Sequence, residues 1–154
     1  MVYKKDFICA TEEETRFLAE SFAKLSKKGD VFALFGTLGV GKSTFSRYFI
    51  QYLTNATDVP SPTFTLLQTY EASSFDIYHY DLYRLKKAEE AYELDIENAF
   101  YNSVCLIEWP EKILSLLPKN IWKITIKTKG QKRLFEVETC DDLKYQRLKE
   151  LNFD

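Results

Sequence analysis

The sequence predicts an α/β domain of three layers, built on a mixed, mostly parallel sheet that antiparallel strands extend. Three observations support this fold. Val31 to Phe35 are consecutive apolar residues, typical of a strand buried on both faces, and a glycine-rich loop and a helical pattern follow them. A second apolar run, Val104 to Ile107, ends at the acid Glu108. Alternating apolar and polar residues on both sides of Gly130 predict an antiparallel hairpin.

Length and composition indicate one globular domain, residues 1–154, because 154 residues leave little room for a second core. Hydrophobic residues make up 45% of the chain, which is far from the composition of a disordered protein. The 21 lysines and arginines are outnumbered by 23 acidic residues. This slightly acidic balance argues against a protein that holds nucleic acid mainly through its own charge.

The cysteines and the N-terminal residues indicate the cellular compartment in which we expect the protein. Cys9, Cys105 and Cys140 are odd in number and lack the paired spacing of a zinc site, so we expect reduced and mostly buried thiols. The first residues have no apolar core of a signal peptide, and no apolar run approaches the roughly 18 residues of a membrane span. We therefore expect a cytoplasmic protein without a membrane segment.

The loop from Gly36 to Ser43 fits the pattern G-x-x-x-x-G-K-[ST] at every position. Glycines allow successive backbone N–H groups to surround phosphate oxygens, and the N-terminus of the following helix adds partial positive charge. Lys42 supplies a full charge to the β- and γ-phosphates, and the Ser43 hydroxyl is the expected Mg²⁺ ligand. The alternative is a glycine-rich turn that binds nothing. The motif predicts a P-loop NTPase-like domain that binds a nucleoside triphosphate with Mg²⁺.

The first helix is predicted to begin at Thr11, because Thr11 and Glu14 have the spacing of a capping box. Leu18 and Phe22 give it an apolar face, and Lys27 to Gly29 are expected to end it. Thr11 is most simply a cap, but it can also lie beside a bound nucleotide. After the loop helix, residues 65–70 and 76–80 are predicted to be two strands, and residues 85–102 have a helical pattern.

Two polar segments after the loop helix are candidate switches. Prolines at alternate positions make Val59 to Phe64 extended and stiff, and Thr63 directly follows the second proline. Its hydroxyl can sense a γ-phosphate, or the segment can be an ordinary rigid loop. Asp81, at the end of the second strand, can orient an attacking water or hold Mg²⁺ through a water, or simply form a turn. His79 on the same strand is more often a hydrogen-bonded structural residue than a catalyst.

Glu108 is the second candidate metal residue, because a buried strand that ends in an acid can place a carboxylate beside the loop magnesium. The alternative is an acid that only ends the strand. Trp109 fits either core packing or a partner's contact surface. The lysines of the hairpin indicate a solvated edge of the sheet. Asp141 is expected to cap a last helix that carries Leu148 and Leu151.

Four segments in this order resemble the TsaE family, the small P-loop ATPases of bacterial threonylcarbamoyladenosine synthesis. They are the P-loop, SPTFTL at 61–66, HYDLYRL at 79–85 and LIEWPE at 106–111, and the similarity extends from about Thr11 to Pro118. The resemblance implies ATP binding and slow ATP hydrolysis, needed to place a threonylcarbamoyl group on the adenosine 3′ of the anticodon in tRNAs that read codons beginning with A. It also implies two partners, TsaD and TsaB, through which tRNA is reached.

The resemblance also implies the roles of single residues. Lys42 binds phosphate, Ser43 and Glu108 hold Mg²⁺, and Thr63 and Asp81 belong to the first and second switch, so that Asp81, Lys42 and Thr63 form the catalytic set. The expected nucleotide-binding residues are Thr11, Leu38, Gly39, Val40, Gly41, Lys42, Ser43, Thr44 and Arg133. Thr37 stands where the family commonly has an acid, Val40 where it has alanine and Ser43 where it has threonine.

Two other functions use the same loop. A small-molecule kinase usually carries an arginine-rich lid, and the arginines of this chain are few and scattered. A nucleotide-gated binding module would use ATP to close a docking surface, with hydrolysis as a timer. A GTP switch is disfavoured, because the chain has no N-K-x-D guanine motif.

Overall fold

The computed structural model describes residues 1–151, which form a seven-stranded sheet with helices on both faces. The strands are β1 (Tyr3–Cys9), β2 (Val31–Phe35), β3 (Leu67–Glu71), β4 (Asp76–Asp81), β5 (Ser103–Glu108), β6 (Trp122–Lys129) and β7 (Lys132–Thr139). The α-helices are α1 (Glu12–Leu25), α2 (Lys42–Leu53), α3 (Ile96–Asn102) and α4 (Asp142–Lys149). Two 3₁₀ segments, Ala88–Leu94 and Pro110–Leu116, connect them. The predicted domain 1–154 also includes residues 152–154, which lie outside the described residues.

The strand order is β1-β7-β6-β2-β5-β4-β3. The four central strands, β6, β2, β5 and β4, are mutually parallel, and the outer strands pair antiparallel. The predicted mixed α/β sheet is therefore confirmed. Because β2, β5 and β4 are parallel neighbours, their carboxyl ends meet at one edge, where a ligand site of an open α/β sheet is expected. No helix within residues 1–151 has both the length and the apolarity needed to cross a membrane.

Two apolar clusters cover the two faces of the sheet. On one face, α1 and α2 bury Phe22, Phe45 and Phe49 against Phe32 of β2. On the other face, α3 and the 3₁₀ segments pack on a second cluster that includes Val31. Phe32 and Val31 belong to opposite clusters because successive side chains of a strand point to opposite faces. The central strands β2 and β5 are thus buried between two helical layers, as their continuous apolar runs predict.

The ends of two predicted helices are corrected. Thr11 caps α1 as predicted, since its Oγ1 accepts a 3.2 Å hydrogen bond from the backbone N of Glu14. The helix ends at Leu25 rather than at Lys27 to Gly29, and the backbone N of Ser26 bonds the carbonyl of Ala23. The predicted helix over residues 85–102 is instead a 3₁₀ segment and α3, separated at Asp95, whose φ of 58° interrupts the helix.

The hairpin of β6 and β7 is confirmed, but its predicted position at a solvated edge is wrong. β6 pairs with β2, and β7 pairs with β1, an edge strand that the sequence patterns did not predict. Two lysines of the hairpin are paired across the strands: Lys127 lies 2.8 Å from Glu136, and Lys123 lies 4.0 Å from Glu138. Cross-strand pairs of opposite charge are compatible with an interior strand that has one solvated face. Asp141 caps α4 as predicted, accepting from the backbone of Leu143 and Lys144.

Candidate nucleotide and magnesium site

The glycine-rich loop leaves β2 at the carboxyl edge of the sheet and α2 begins at Lys42. Gly36, Gly39 and Gly41 all have positive φ, which glycine adopts without a steric penalty. At Gly36 space is also limiting, because a Cβ would lie 2.7 Å from Cγ1 of Val40 and 2.8 Å from the carbonyl O of Ile126. Val40 is buried at this contact, so the valine that replaces the family's alanine packs beneath the loop.

Lys42 is buried at the start of α2 and points back under the loop. Its Nζ donates a 2.7 Å hydrogen bond to the carbonyl O of Gly36 and lies 3.5 Å from the ring centroid of Trp109. Burial lowers the pKa of Lys42, and the carboxylates of Glu111, Glu108 and Asp81 partly oppose that shift. The ammonium is thus held in partly desolvated surroundings, where a phosphate would add a strong charge-assisted partner.

Glu108 and Asp81 lie next to each other, because the last residues of β5 and β4 are register partners. Oε1 of Glu108 accepts a 2.9 Å hydrogen bond from Oγ of Ser43, in the first turn of α2. Glu108 is buried, whereas Ser43 is exposed toward the cleft. A hydroxyl and a carboxylate are therefore placed together beside the phosphate loop, which is a typical arrangement of protein ligands for Mg²⁺ on a nucleotide.

The proline-rich segment meets the second carboxylate. Oγ1 of Thr63 donates a 3.0 Å hydrogen bond to Oδ2 of Asp81, and Ser61 lies 2.9 Å from the same hydroxyl. The backbone N of Tyr83 donates to Oδ1 of Asp81 at 3.1 Å. Both candidate switch residues are thus brought together, with each oxygen of Asp81 engaged. Ser61 is a contact that the analysis of the sequence did not assign, although it precedes Thr63 in the same motif.

The other side of the loop faces β1, α1 and β7. Thr11, Thr44 and Arg133 line this part of the cleft together with Gly39 and Val40 of the loop. Nε of Arg133 donates a 2.9 Å hydrogen bond to the carbonyl O of Val40, which ties β7 to the loop. The sequence did not predict the other residues that line this part of the cleft, because a lining position has no sequence pattern of its own. They are Cys9, Ala10, Glu12, Thr15, Gln131 and Phe135.

The predicted nucleotide residues thus lie along a continuous surface around the loop. Leu38, Gly41, Lys42 and Ser43 face Thr63 and Asp81 on one side, whereas Thr11 and Arg133 are on the other. Within the described part of the chain, no group of three or more histidine, cysteine or acidic residues is placed to hold a metal. The Ser43 and Glu108 pair fits an ion that takes its other ligands from phosphate and water, as Mg²⁺ usually does.

Comparison with known proteins agrees with these motifs. The family model described as "Threonylcarbamoyl adenosine biosynthesis protein TsaE" matches residues 9–135. A TsaE from Rickettsia conorii is 47% identical over 131 residues, covering 84% of this chain and 75% of the relative. The Bacillus subtilis TsaE is 39% identical over 119 residues, covering 77% of this chain and 74% of the relative.

A solved structure of similar fold agrees with the family match. The crystal structure of YdiB from Bacillus subtilis superposes with a TM-score of 0.79 at 29% sequence identity, covering 97% of this chain and 95% of that one. The match therefore extends over the sheet, the P-loop and the hairpin together. Since the family model spans most of the sequence and the relatives match it over similar lengths, the chain belongs to the TsaE family, as its four motifs predict.

Proposed function

We propose that the chain binds ATP with Mg²⁺ in this cleft and hydrolyses it slowly in support of tRNA modification in the cytoplasm. The modification is the threonylcarbamoyl group on the adenosine 3′ of the anticodon, in tRNAs that read codons beginning with A. The observation that carries the proposal is the 2.9 Å hydrogen bond between Ser43 and Glu108, next to the buried Lys42. In a glycine-rich turn that binds nothing, there is no physical reason for these three polar side chains to lie together.

The phosphate end of the cleft has the parts that phosphoryl chemistry needs. The backbone N–H groups of the loop and the start of α2 would hold the phosphates, and Lys42 would move from its contact with Gly36 to their oxygens. Ser43 and Glu108 would hold Mg²⁺, which when bound neutralises charge developing on the phosphates. These residues bind and orient the substrate and need not take part in covalent chemistry.

Asp81 is the residue we assign to the attacking water. Oδ2 of Asp81 accepts from the Thr63 hydroxyl in this structure, and a water that took the place of that hydroxyl would donate to the same oxygen. Movement of Thr63 toward a γ-phosphate would therefore free Asp81 for the water. This links sensing of the nucleotide by the proline-rich segment to hydrolysis.

The proposed partners are TsaD and TsaB, with tRNA reached through them. Exposed apolar side chains near the cleft support a partner surface there: Leu38 lines the cleft, Phe64 follows Thr63, and the ring of Tyr83 contacts that of Trp109 in a tilted arrangement with the centroids 4.9 Å apart. Exposed apolar side chains close together often mark protein contacts. The net charge of −2 also fits a subunit that leaves most of the tRNA binding to its partners.

A small-molecule kinase is not favoured. Arg147 is bound to Asp30, Arg16 to Glu20 and Arg84 lies over the ring of Phe64. No arginine among residues 1–151 lines the part of the cleft that contains Ser43 and Asp81. The described lining of this part of the cleft thus provides no arginine to neutralise a transferred phosphoryl group, as the lid of such kinases does.

Complementation tests the proposal. In a strain that lacks the gene, the wild-type chain should restore the modified nucleoside, and Lys42→Ala should not. Lys28→Ala removes an exposed lysine far from the cleft and should restore it fully. Normal modified nucleoside in the deletion strain, or full rescue by Lys42→Ala, would contradict the proposal. A second experiment tests whether TsaD and TsaB are the partners. The chain is co-purified with them in the presence and absence of ATP, and any complex recovered is assayed for ATP hydrolysis.

Asp81→Asn separates hydrolysis from nucleotide-gated docking. The amide oxygen can still accept from the backbone N of Tyr83, and the amide NH2 can donate to the Thr63 hydroxyl, but the amide cannot accept a proton from water. We expect ATP-dependent assembly with the partners to survive and ATP hydrolysis to fall by about 100-fold, which is a typical loss for a general base. If hydrolysis stays at the wild-type rate, Asp81 does not have this role.

A further inference from the structure

We propose that His79 is the positioning residue of the magnesium carboxylate: its imidazole holds Glu108 so that the other carboxylate oxygen faces Ser43. Nε2 of His79 lies 2.7 Å from Oε2 of Glu108, while Oε1 accepts from Ser43 at 2.9 Å. The inference rests on the proposed function, since it concerns how the metal-binding end of the cleft is kept ready. His79 does not touch substrate in this role.

The two side chains meet across neighbouring strands. Asp81 of β4 is the register partner of Glu108, and His79 lies two residues before Asp81, on the same face of β4. The side chains of His79 and Glu108 are 1% and 3% exposed. Water therefore has almost no access to their contact, and the imidazole is the partner that satisfies Oε2 of the carboxylate.

The surroundings of the ring determine which nitrogen carries the proton. Nδ1 of His79 is buried and has no hydrogen-bond partner within residues 1–151. A proton on Nδ1 would leave a buried donor unsatisfied, whereas a proton on Nε2 is donated to Glu108. The geometry thus assigns an imidazole that carries a proton on Nε2, and Glu108 is the acceptor.

Two donors on one carboxylate explain why a glutamate can serve at this position. Its side chain has three rotatable bonds, and without partners the carboxylate would sample several orientations. Ser43 fixes one oxygen and His79 fixes the other, so the carboxylate plane is defined before a metal arrives. Carboxylates that bind metals are commonly held by such outer hydrogen bonds, and loss of one typically weakens metal binding about 10–100-fold.

The first test needs neither nucleotide nor metal. His79 is the only histidine of the chain, so its imidazole signals in a ¹⁵N NMR spectrum need no assignment. At neutral pH we expect the nitrogen signals to show a proton on Nε2. A tautomer with the proton on Nδ1 and a bare Nε2 would place a lone pair against the Glu108 carboxylate and would overturn the proposal.

The second test measures how much Mg²⁺ improves ATP binding, as the ratio of dissociation constants in EDTA and in Mg²⁺. His79→Gln places an amide N–H near the former Nε2, whereas the shorter side chain of His79→Asn does not reach Glu108. We expect His79→Asn to lower the ratio by about tenfold or more. His79→Gln should stay within about threefold of the wild type, and binding in EDTA should be the same in all variants.

Tyr78→Phe is the matched control, because it alters the neighbouring residue, on the opposite face of β4, and should leave the ratio unchanged. A wild-type ratio retained by His79→Asn overturns this inference alone. A wild-type protein in which Mg²⁺ gives no improvement overturns the proposed function and this inference with it. If His79→Asn does not fold, the proposal is still tested by the NMR measurement on the wild type and by the ratio of ATP dissociation constants for His79→Gln. A tenfold decrease of that ratio in His79→Gln contradicts the proposal.

Discussion

Thr63 donates a 3.0 Å hydrogen bond to Asp81, which joins the proline-rich segment to the carboxyl end of β4. The two residues are 18 positions apart in sequence, and the hydrogen bond brings the two candidate switches into one unit. Ser61 extends this unit, since its hydroxyl is 2.9 Å from that of Thr63. A change at Thr63 is therefore expected to reach directly the carboxylate of Asp81, to which we assign the attacking water.

Thr63→Val tests this link, because valine keeps the shape of threonine and removes the hydroxyl. We expect ATP hydrolysis, measured as phosphate release in the presence of the partners, to fall about tenfold or more, since the γ-phosphate loses the hydroxyl that we propose as its sensor. Ser61→Ala is the control: it removes the neighbouring hydroxyl but keeps the contact between Thr63 and Asp81. A Thr63→Val protein as active as Ser61→Ala would argue against the switch.

The contact between Lys42 and Trp109 provides a second prediction. The lysine Nζ lies 3.5 Å from the indole centroid of Trp109, which directly follows the last residue of β5. A phosphate that binds Nζ would draw the charge away from the ring. We therefore expect a change in tryptophan fluorescence as ATP and Mg²⁺ are added, and a loss of that change in Lys42→Ala.

The source of the fluorescence signal can be checked because the chain has only two tryptophans. Trp122 is completely buried in the core, so its emission should not respond to ATP. Trp109→Phe keeps an aromatic face for Lys42 and should remove the ATP-dependent change. If that variant retains the signal, the response arises at Trp122, and Lys42 does not leave the ring as proposed.

The residues of the proposed phosphate and magnesium site were predictable because each of them belongs to a pattern of neighbouring residues in the sequence. A buried strand followed by the P-loop places Lys42 and Ser43, and an apolar run that ends in an acid places Glu108. Parallel strands then bring their carboxyl ends together, so the meeting of Ser43 with Glu108 follows from the fold class. The family resemblance added Thr63, which the sequence pattern alone left equally compatible with a rigid loop.

The parts that the sequence did not predict depend on contacts between distant residues. β1 alternates the exposed residues Lys4, Asp6 and Ile8 with less exposed ones that end in the buried Phe7 and Cys9. It becomes a strand only by pairing with β7, more than 120 residues later. That pairing also removes the hairpin from the sheet edge. The partner of His79 lies on the neighbouring strand, and no spacing within the chain indicates it.

A buried ion pair outside the site yields a stability prediction. Arg147 of α4 makes two hydrogen bonds to Asp30, at 2.7 and 2.8 Å, just before β2. The Asp30 side chain is 4% exposed, so its charge requires a partner. Arg147→Met keeps most of the side-chain stem and removes the charge. We expect the free energy of unfolding in urea to fall by about 2–3 kcal/mol, less than for a fully isolated charge because Lys144 remains 3.7 Å away.

Arg16→Met is the matched control for the buried pair. Arg16 lies 3.0 Å from Glu20 on the exposed face of α1, and both side chains are well solvated. Its loss should change the free energy of unfolding by about 0.5 kcal/mol or less. Equal effects of the two substitutions would mean that burial of Asp30 does not determine the stability of this end of the sheet.

The three cysteines should differ in reactivity with pH. Burial raises the pKa of the Cys9 thiol to about 11 and that of Cys105 to about 12, whereas Cys140 is exposed. A raised pKa means that the folded protein keeps the neutral thiol, which is a poor nucleophile, at pH 8. Iodoacetamide at pH 8 should therefore label Cys140 first, and all three thiols only after unfolding, as measured by mass spectrometry of peptides.

The same shifts determine how stability depends on alkaline pH. The ordinary pKa of a cysteine thiol in an unfolded chain is 9.0, whereas burial raises the pKa of Cys9 to about 11 in the folded protein. The unfolded chain therefore releases these protons first, and the free energy of unfolding should fall as the pH rises from about 9 toward 11.

The control for the labelling experiment is Cys140→Ser, in which labelling of the folded protein at pH 8 should nearly disappear. If Cys9 reacts as fast as Cys140 in the folded wild type, its thiol is accessible from the nucleotide cleft and the predicted protection by burial is wrong.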